Sequence, residues 1–333
     1  HCGFAHAQQN TQNGHDVHYG HSVRFWLEGG TRQVVTDSSA ACRAMQEQAM
    51  IDLKVRRIPF DFEGVDFIWN KNNPEFAITM NKLSFFAVGF EKYICQAMRD
   101  AEPLITDPRV LQEARDFRAQ EGLHSSAHRK HCKALIAQTP ALQSALDRCI
   151  ALYDELYAAE SLKYHLAYTG GLESIFTPSF KLMLDHKEHL FNGDARVASL
   201  LLWHFCEEIE HRSSGLMVYD HVYGNYWYRV SRFKGFMAHV GKVIGAITEE
   251  FGKAFPELSP ELLNGNSNFK MPFVAKMKSA FGITMSQMPW HNPEHQPLPK
   301  YFDEWSGIYD SGADVTRVFG EGSTTGQPLA VAA

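Results

Sequence analysis

The sequence predicts a mainly α protein, with a four-helix bundle core and additional flanking helices. Three observations predict it. From Pro74 onward, apolar residues recur at helical spacing through four long stretches. Capping residues and prolines mark the ends of those stretches. Each stretch also carries glutamate in an apolar context, where a soluble helix seldom places one.

Composition sets the bounds. A chain of 333 residues, 44% hydrophobic and 21% charged, can bury one large core and lacks the make-up of a disordered chain. Its net charge of −6, with Lys and Arg scattered among acids, argues against a nucleic-acid partner. The six cysteines form no C-x-x-C pair in a chain much larger than disulfide-stapled scaffolds, which points to a reducing compartment. No apolar run reaches the roughly eighteen residues of a membrane span, and no basic segment followed by an apolar one opens the chain. A cytoplasmic protein with no membrane partner is therefore expected.

Residues 1–53 are read as an N-terminal extension, partly disordered. The first 21 hold five histidines without periodicity and read as a solvated tail. "VRFWLEGGTRQVV" suggests two short strands around Gly29-Gly30, and a short helix is expected from Ser38 to about Leu53. "VRRIPFDF" then reads as extended, because Pro59 disfavours helix in the residue before it and "PFDF" alternates apolar with polar.

The first long helix is expected from about Glu75 to Ala101, apolar on nearly all sides and stopped at Pro103. The second starts where Asp107 can cap free amides ahead of Pro108, and runs to about Gln138. A third pattern extends from Ala141 to Phe176 and halts at Thr177-Pro178, with Gly170-Gly171 marking a kink or a close neighbour. The fourth starts at Gly193-Asp194 and continues to about Tyr223, and a further helix from about Tyr228 to Phe255 packs outside these four. Residues 54–260 thus make the helical domain. Residues 261–333 read as short Pro-punctuated helices and a flexible tail.

Burying one ionised carboxylate without a partner is prohibitively costly, so the acids of these helices need a shared neutraliser. Glu121 and His124 stand at i and i+3 on the second helix, a spacing that points two side chains the same way. Glu208 and His211 repeat it on the fourth, with His204 one turn before Glu208, and Glu91 and Glu173 come from the other two. One Glu from each of two helices plus Glu-x-x-His from each of the others is the dimetal site of ferritin-like four-helix bundles. Carboxylates bridge two hard cations, and imidazoles suit iron, so two Fe ions are expected, with Mn or mixed Fe/Mn as alternatives and Zn for hydrolytic chemistry.

The stretches "RRIPFDF", "LSFFAVGFEKYICQAMRDAEPLITDP", "FRAQEGLHSSAHRKH", "SLKYHLAYTGGLESIFTPSFKLMLD" and "GDARVASLLLWHFCEEIEHRSSGLMVYDHVYG" resemble the bacterial family of predicted metal-dependent hydrolases, over roughly residues 54–260. The ligand order is also similar to that of di-iron N-oxygenases acting on aryl amines. His204, Glu208 and His211 match their last helix, and Glu91, Glu121, His124 and Glu173 complete the seven ligands. Similarity outside the ligands is lacking, so their substrate does not carry over.

Register on the fourth helix rests on the parallel with Glu121-x-x-His124, since Glu207 and Glu210 share the same spacing. Glu207 and Glu210 are then expected on other faces, with Arg212 available as partner. Glu207 and His128 are the candidate catalytic bases, and His165, Asp220 and His221 are candidate supporting groups. Tyr93, Tyr164 and Tyr168 read as packing residues with a polar tip, or as electron carriers. No phosphate-binding loop and no serine nucleophile elbow occurs. Three functions follow: an O2-activating di-iron oxygenase or oxidase, needing an electron donor and a small-molecule substrate; a hydrolase using metal-bound water; and iron storage or sensing. A homodimer is the base-rate expectation for a bundle of this size.

Overall fold

In the computed structural model, which describes residues 53–264 and 271–324, Asn73 starts the first long helix by accepting a hydrogen bond from the Phe76 N–H at 3.2 Å. That helix, α1 (Pro74–Ala101), is buried on nearly all sides as expected and ends at a short 3₁₀ turn containing Pro103. Helix α2 (Pro108–Gln138) matches its predicted span, with the Asp107 carboxylate accepting from the Arg109 N–H at 2.8 Å and Pro108 at the first helical position. The expected N-terminal strands, all but the last residue of the Ser38–Leu53 helix, and the last nine residues of the tail fall outside the described residues.

The third pattern is two helices rather than one. α3 (Gln143–Ala159) ends at Glu160, and α4 (Leu162–Asp185) begins under the cap of Ser161, whose hydroxyl accepts from the Tyr164 N–H. Pro178, expected to stop the pattern, lies inside α4. It removes one helical N–H, and the Ser279 hydroxyl of a later helix donates to its carbonyl at 3.2 Å. Gly170 and Gly171 mark close approach. A Cβ at Gly170 would stand 3.1 Å from the Gly215 carbonyl oxygen, and one at Gly171 would stand 3.3 Å from the Phe236 ring.

The one-turn α5 (Lys187–Leu190) leads to α6 (Ala195–Glu210), capped by Asp194 as expected. Here too a single predicted helix is broken. Residues 211–213 form turns before α7 (Ser214–Val222), and His211, with φ −93° and ψ 18°, is the C-cap of α6. α8 (Tyr226–Ala254), α9 (Pro260–Asn264), α10 (Phe273–Met285) and α11 (Lys300–Asp310) complete the helices of the described residues.

The fold is mainly α, and no β-strand forms among the described residues. α1 is central, packing against α2, α3, α4 and α8, while α4 packs against α6, α7 and α8, and α2 against α6 and α7. Four helices, α1, α2, α4 and α6, therefore enclose a common interior. No described helix is long and apolar enough to cross a membrane. Cys95, Cys132, Cys149 and Cys206 are free thiols, and Cys2 and Cys42 lie outside the described residues.

Candidate metal centre

Those four helices each aim acid at the interior. α1 contributes Glu91, α2 contributes Glu121 and His124, α4 contributes Glu173, and α6 contributes His204 and Glu208 with His211 at its cap. None of the seven is more than 3% exposed. Side chains three and four residues apart on a helix share a face, which aligns His204 over Glu208 and Glu121 over His124.

The donors form two overlapping groups, Glu91, His124, His204 and Glu208 in one, and Glu121, His124, Glu208 and His211 in the other. Within each group the ligand atoms lie within 4.8 Å of one another. Glu208 Oε1 lies 2.9 Å from His204 Nε2 and 3.5 Å from both His124 Nδ1 and His211 Nε2. Glu91 Oε1 is 3.2 Å from His204 Nε2, and Glu121 Oε1 is 3.3 Å from His211 Nε2. Glu173 stands at the edge of the second group, its Oε2 3.5 Å from His211 Nδ1.

Hydrogen bonds leave much of this cluster unsatisfied. One oxygen each of Glu91 and Glu208, both oxygens of Glu121 and Glu173, Nδ1 of His124 and both nitrogens of His211 are buried with no hydrogen-bond partner. Native proteins seldom bury so many polar atoms without satisfying them. Burial pushes the Glu91 and Glu121 carboxyls up, the latter well above the usual range with the Glu208 charge adding to it, and Glu173 rises to about 7 for the same reasons. Burial opposes charge on His204, yet Glu208 and Glu91 outweigh it and hold the imidazole at about 9. Mutual repulsion and burial thus make this donor set call for positive charge. Carboxylate oxygens and imidazole nitrogens converging on a shared carboxylate fit first-row divalent cations. This buried His/Glu cluster can hold metal.

The model of the family described as "Predicted metal-dependent hydrolase" matches residues 54–299. The chain belongs to that family. No curated protein and no solved structure shows a significant match to the chain. The matched span includes all seven cluster residues and extends past the resemblance seen from sequence, through α9 and α10.

Around the cluster, this member of the predicted metal-dependent hydrolase family carries a further layer of buried bonds. Glu207 Oε2 lies 2.9 Å from His124 Nε2, placing the proton on Nε2 and leaving Nδ1 free to face Glu208. The other Glu207 oxygen accepts from Arg56 at 2.9 Å. Arg56 also donates to both oxygens of Glu210, at 2.8 Å each, and Gln120 donates to Glu210 at 2.7 Å. The guanidinium lies over the rings of Trp305 and Tyr309, which attaches α11 to the same network. Arg212, expected as partner of Glu207 or Glu210, instead donates to the carbonyls of Ile209, Pro293 and Glu294. Its position just past the α6 cap turns it toward the 293–295 turn.

His128 is tied down on both sides. Its Nε2 lies 2.9 Å from His204 Nδ1, its Nδ1 lies 3.0 Å from Ser84 Oγ, and Ser84 Oγ lies 3.0 Å from His131 Nδ1. With a metal on His204 Nε2, the protons would order one way: His204 Nδ1–H to His128, His128 Nδ1–H to Ser84, Ser84 O–H to His131. Burial holds both outer imidazoles neutral, His128 well below its usual range and His131 at about 3. Tyr93 and His165 bond each other at 2.9 Å, and His221 accepts from the Thr106 N–H at 3.1 Å, so neither histidine is bonded to a ligand.

Sequence reasoning missed Arg56, Ser84 and His131. His131 continues the 121-124-128 face by another i+3 step. Arg56 is in phase with buried Phe60 and Phe62 in the extended segment, two positions before Ile58. Ser84 offered no such signal. Replacing His128 by Ala is expected to weaken metal binding about 10- to 100-fold without changing the number of ions bound at saturation. Competition titration against a chromogenic chelator checks this.

Proposed function

We propose that the chain is a dinuclear-metal oxidase or oxygenase with a ferritin-like site, holding two iron ions through Glu91, Glu121, His124, Glu173, His204, Glu208 and His211. The observation that carries this reading is the buried, mutually facing set of unsatisfied donors centred on Glu208, which belongs to both ligand groups. When bound, a ferrous pair supplies electrons to reduce O2 and open positions for a small organic substrate. An electron donor completes the partners this reading needs.

The chain's own residues prepare that chemistry. Glu208 holds both halves of the site at fixed separation, and Glu207 and His128 lock the tautomers of His124 and His204. Phe117 lies 4.8 Å from the His211 ring, Trp203 4.9 Å from His124 and Phe180 6.0 Å from His204. This apolar wall limits bulk water, which suits oxidation better than hydrolysis.

The family's descriptive name favours a second reading, hydrolysis by metal-activated water. That reaction needs a base, and the two candidates are both committed elsewhere: Glu207 to Arg56 and His124, His128 to Ser84 and His204. Their geometry fits positioning residues, so oxidation is preferred. Anaerobic loading with ferrous ion followed by O2 tests the choice by absorbance and oxygen uptake. Oxygen consumption with a coloured ferric product is expected. Unchanged absorbance, together with ester or amide cleavage by the Zn-loaded chain under anaerobic conditions, overturns it.

A further inference from the structure

Exposed large apolar side chains concentrate in one short part of the chain. Phe273, Val274, Met277 and Phe281 on α10, and Trp290 in the turn after it, are 54–73% exposed. Large apolar surface left in water in this way commonly marks an interaction site. The helix positions recur at i, i+4 and i+8, so Phe273, Met277 and Phe281 form one outward stripe.

The charges that this segment itself carries have one sign, while on the α4 wall of the groove beside it Asp185 is paired with Lys181. No Asp or Glu occurs between Glu261 and Glu294, in a chain whose net charge is −6. Lys276 and Lys278 flank the stripe, and Lys278 is exposed. A helix with aromatic and aliphatic residues on one face and lysine as its only charge has the make-up of an element lying in a lipid headgroup layer.

The body of the protein holds this face out firmly. Ser279 donates to the Pro178 carbonyl inside α4, and Gly282 lies so close to Pro178 that a Cβ there would stand 2.9 Å from its ring. Beyond the helix, Tyr226 donates to the Gln287 carbonyl at 3.0 Å and Arg229 to the Gln287 side chain at 3.2 Å. Between α4 and α10 runs an apolar groove of about 670 Å³, lined in part by Pro178, Leu182, Phe281, Met285 and Trp290. Its size and lining suit an acyl chain.

We propose that α10 and the Trp290 turn dock the protein on an anionic lipid bilayer. A second copy of the chain fits less well, because a two-fold contact through this face brings its lysines against their own counterparts. The expectation of no membrane partner rested on the length of spanning segments, which does not bear on a helix lying in the interface. The proposal is independent of the chemistry at the metal centre.

Sedimentation of the full chain with vesicles tests it. Binding is expected to phosphatidylcholine vesicles containing phosphatidylglycerol and to fall steeply with added salt, with little binding to phosphatidylcholine alone. The K276A/K278A variant should partition on the order of 25-fold less, about five-fold per lysine. The F273D/F281D variant should stay in the supernatant while keeping wild-type metal content, which shows that it is folded. The proposal fails if the wild-type chain ignores anionic vesicles or if either variant binds as wild type does. It also fails if F273D/F281D instead converts a dimer to a monomer, which assigns the face to a second copy.

Discussion

Replacing Glu208 by Ala is expected to take the protein from about two bound metal ions per chain to almost none. Glu208 is the carboxylate common to both ligand groups, and His124, His204 and His211 all lie within 3.5 Å of its Oε1. Elemental analysis of protein loaded with excess ferrous ion under anaerobic conditions gives the count. Stability distinguishes this loss from misfolding. Ligand that binds only the folded state raises stability by about 2.7 kcal/mol at a hundred times Kd, so wild-type protein should melt higher with metal than without. In Glu208→Ala that difference should vanish; the metal-free melting temperature should itself fall, because His204 and His211 lose the carboxylate they face, and a cooperative transition shows that the variant is folded. A variant that keeps its full metal content contradicts the ligand assignment.

Arg56→Ala should be the most destabilising single change in the layer behind the ligands. Arg56 and Glu207 are almost wholly buried, and its guanidinium is the cation facing both Glu207 and Glu210. Burial opposes its charge, but the two carboxylates hold its pKa above the usual arginine value. Removing one partner of a buried ion pair costs about 3–5 kcal/mol, because the other charge stays buried and uncompensated. For a domain of this size the melting temperature should fall by roughly 10 °C. The change also removes the anchor that fixes Glu207 against His124, so metal affinity should fall even in protein that remains folded. Thermal denaturation and chelator competition on the same preparation separate the two effects. Wild-type stability and affinity together would show that Arg56 does not support the site.

Much of the fold was legible because helix ends carry their own chemistry. Asp107-Pro108 and Asp194 supply capping signals that the structure uses as expected. The two breaks were not legible, each for a local reason. Apolar periodicity runs unbroken through Glu160-Ser161, hiding the cap that Ser161 provides for α4. "EHRSSGL" holds no proline to stop a helix, yet His211 leaves helical geometry there, and Gly215, in the first turn of α7, approaches Gly170.

That these acids and imidazoles share one interior was legible from spacing, since Glu-x-x-His on two helices and one glutamate on each of two others converge there. The surrounding layer was less so. Arg56 comes from an extended segment far before its partners, and its two-residue phase with Phe60 and Phe62 signals burial but not the carboxylates it meets. The acid-free stretch around α10 was readable in sequence, but its exposure was not. Amphipathic periodicity looks the same whether the apolar face meets a core or remains open.

Where metal binds decides between a dinuclear centre and any other use of this cluster. Anomalous diffraction at the iron edge, from crystals of the ferrous-loaded protein, locates it. Two iron peaks on either side of Glu208 are predicted, one beside Glu91 and His204 and the other beside Glu121, Glu173 and His211. A single peak, or iron bound away from these residues, would contradict the dinuclear centre.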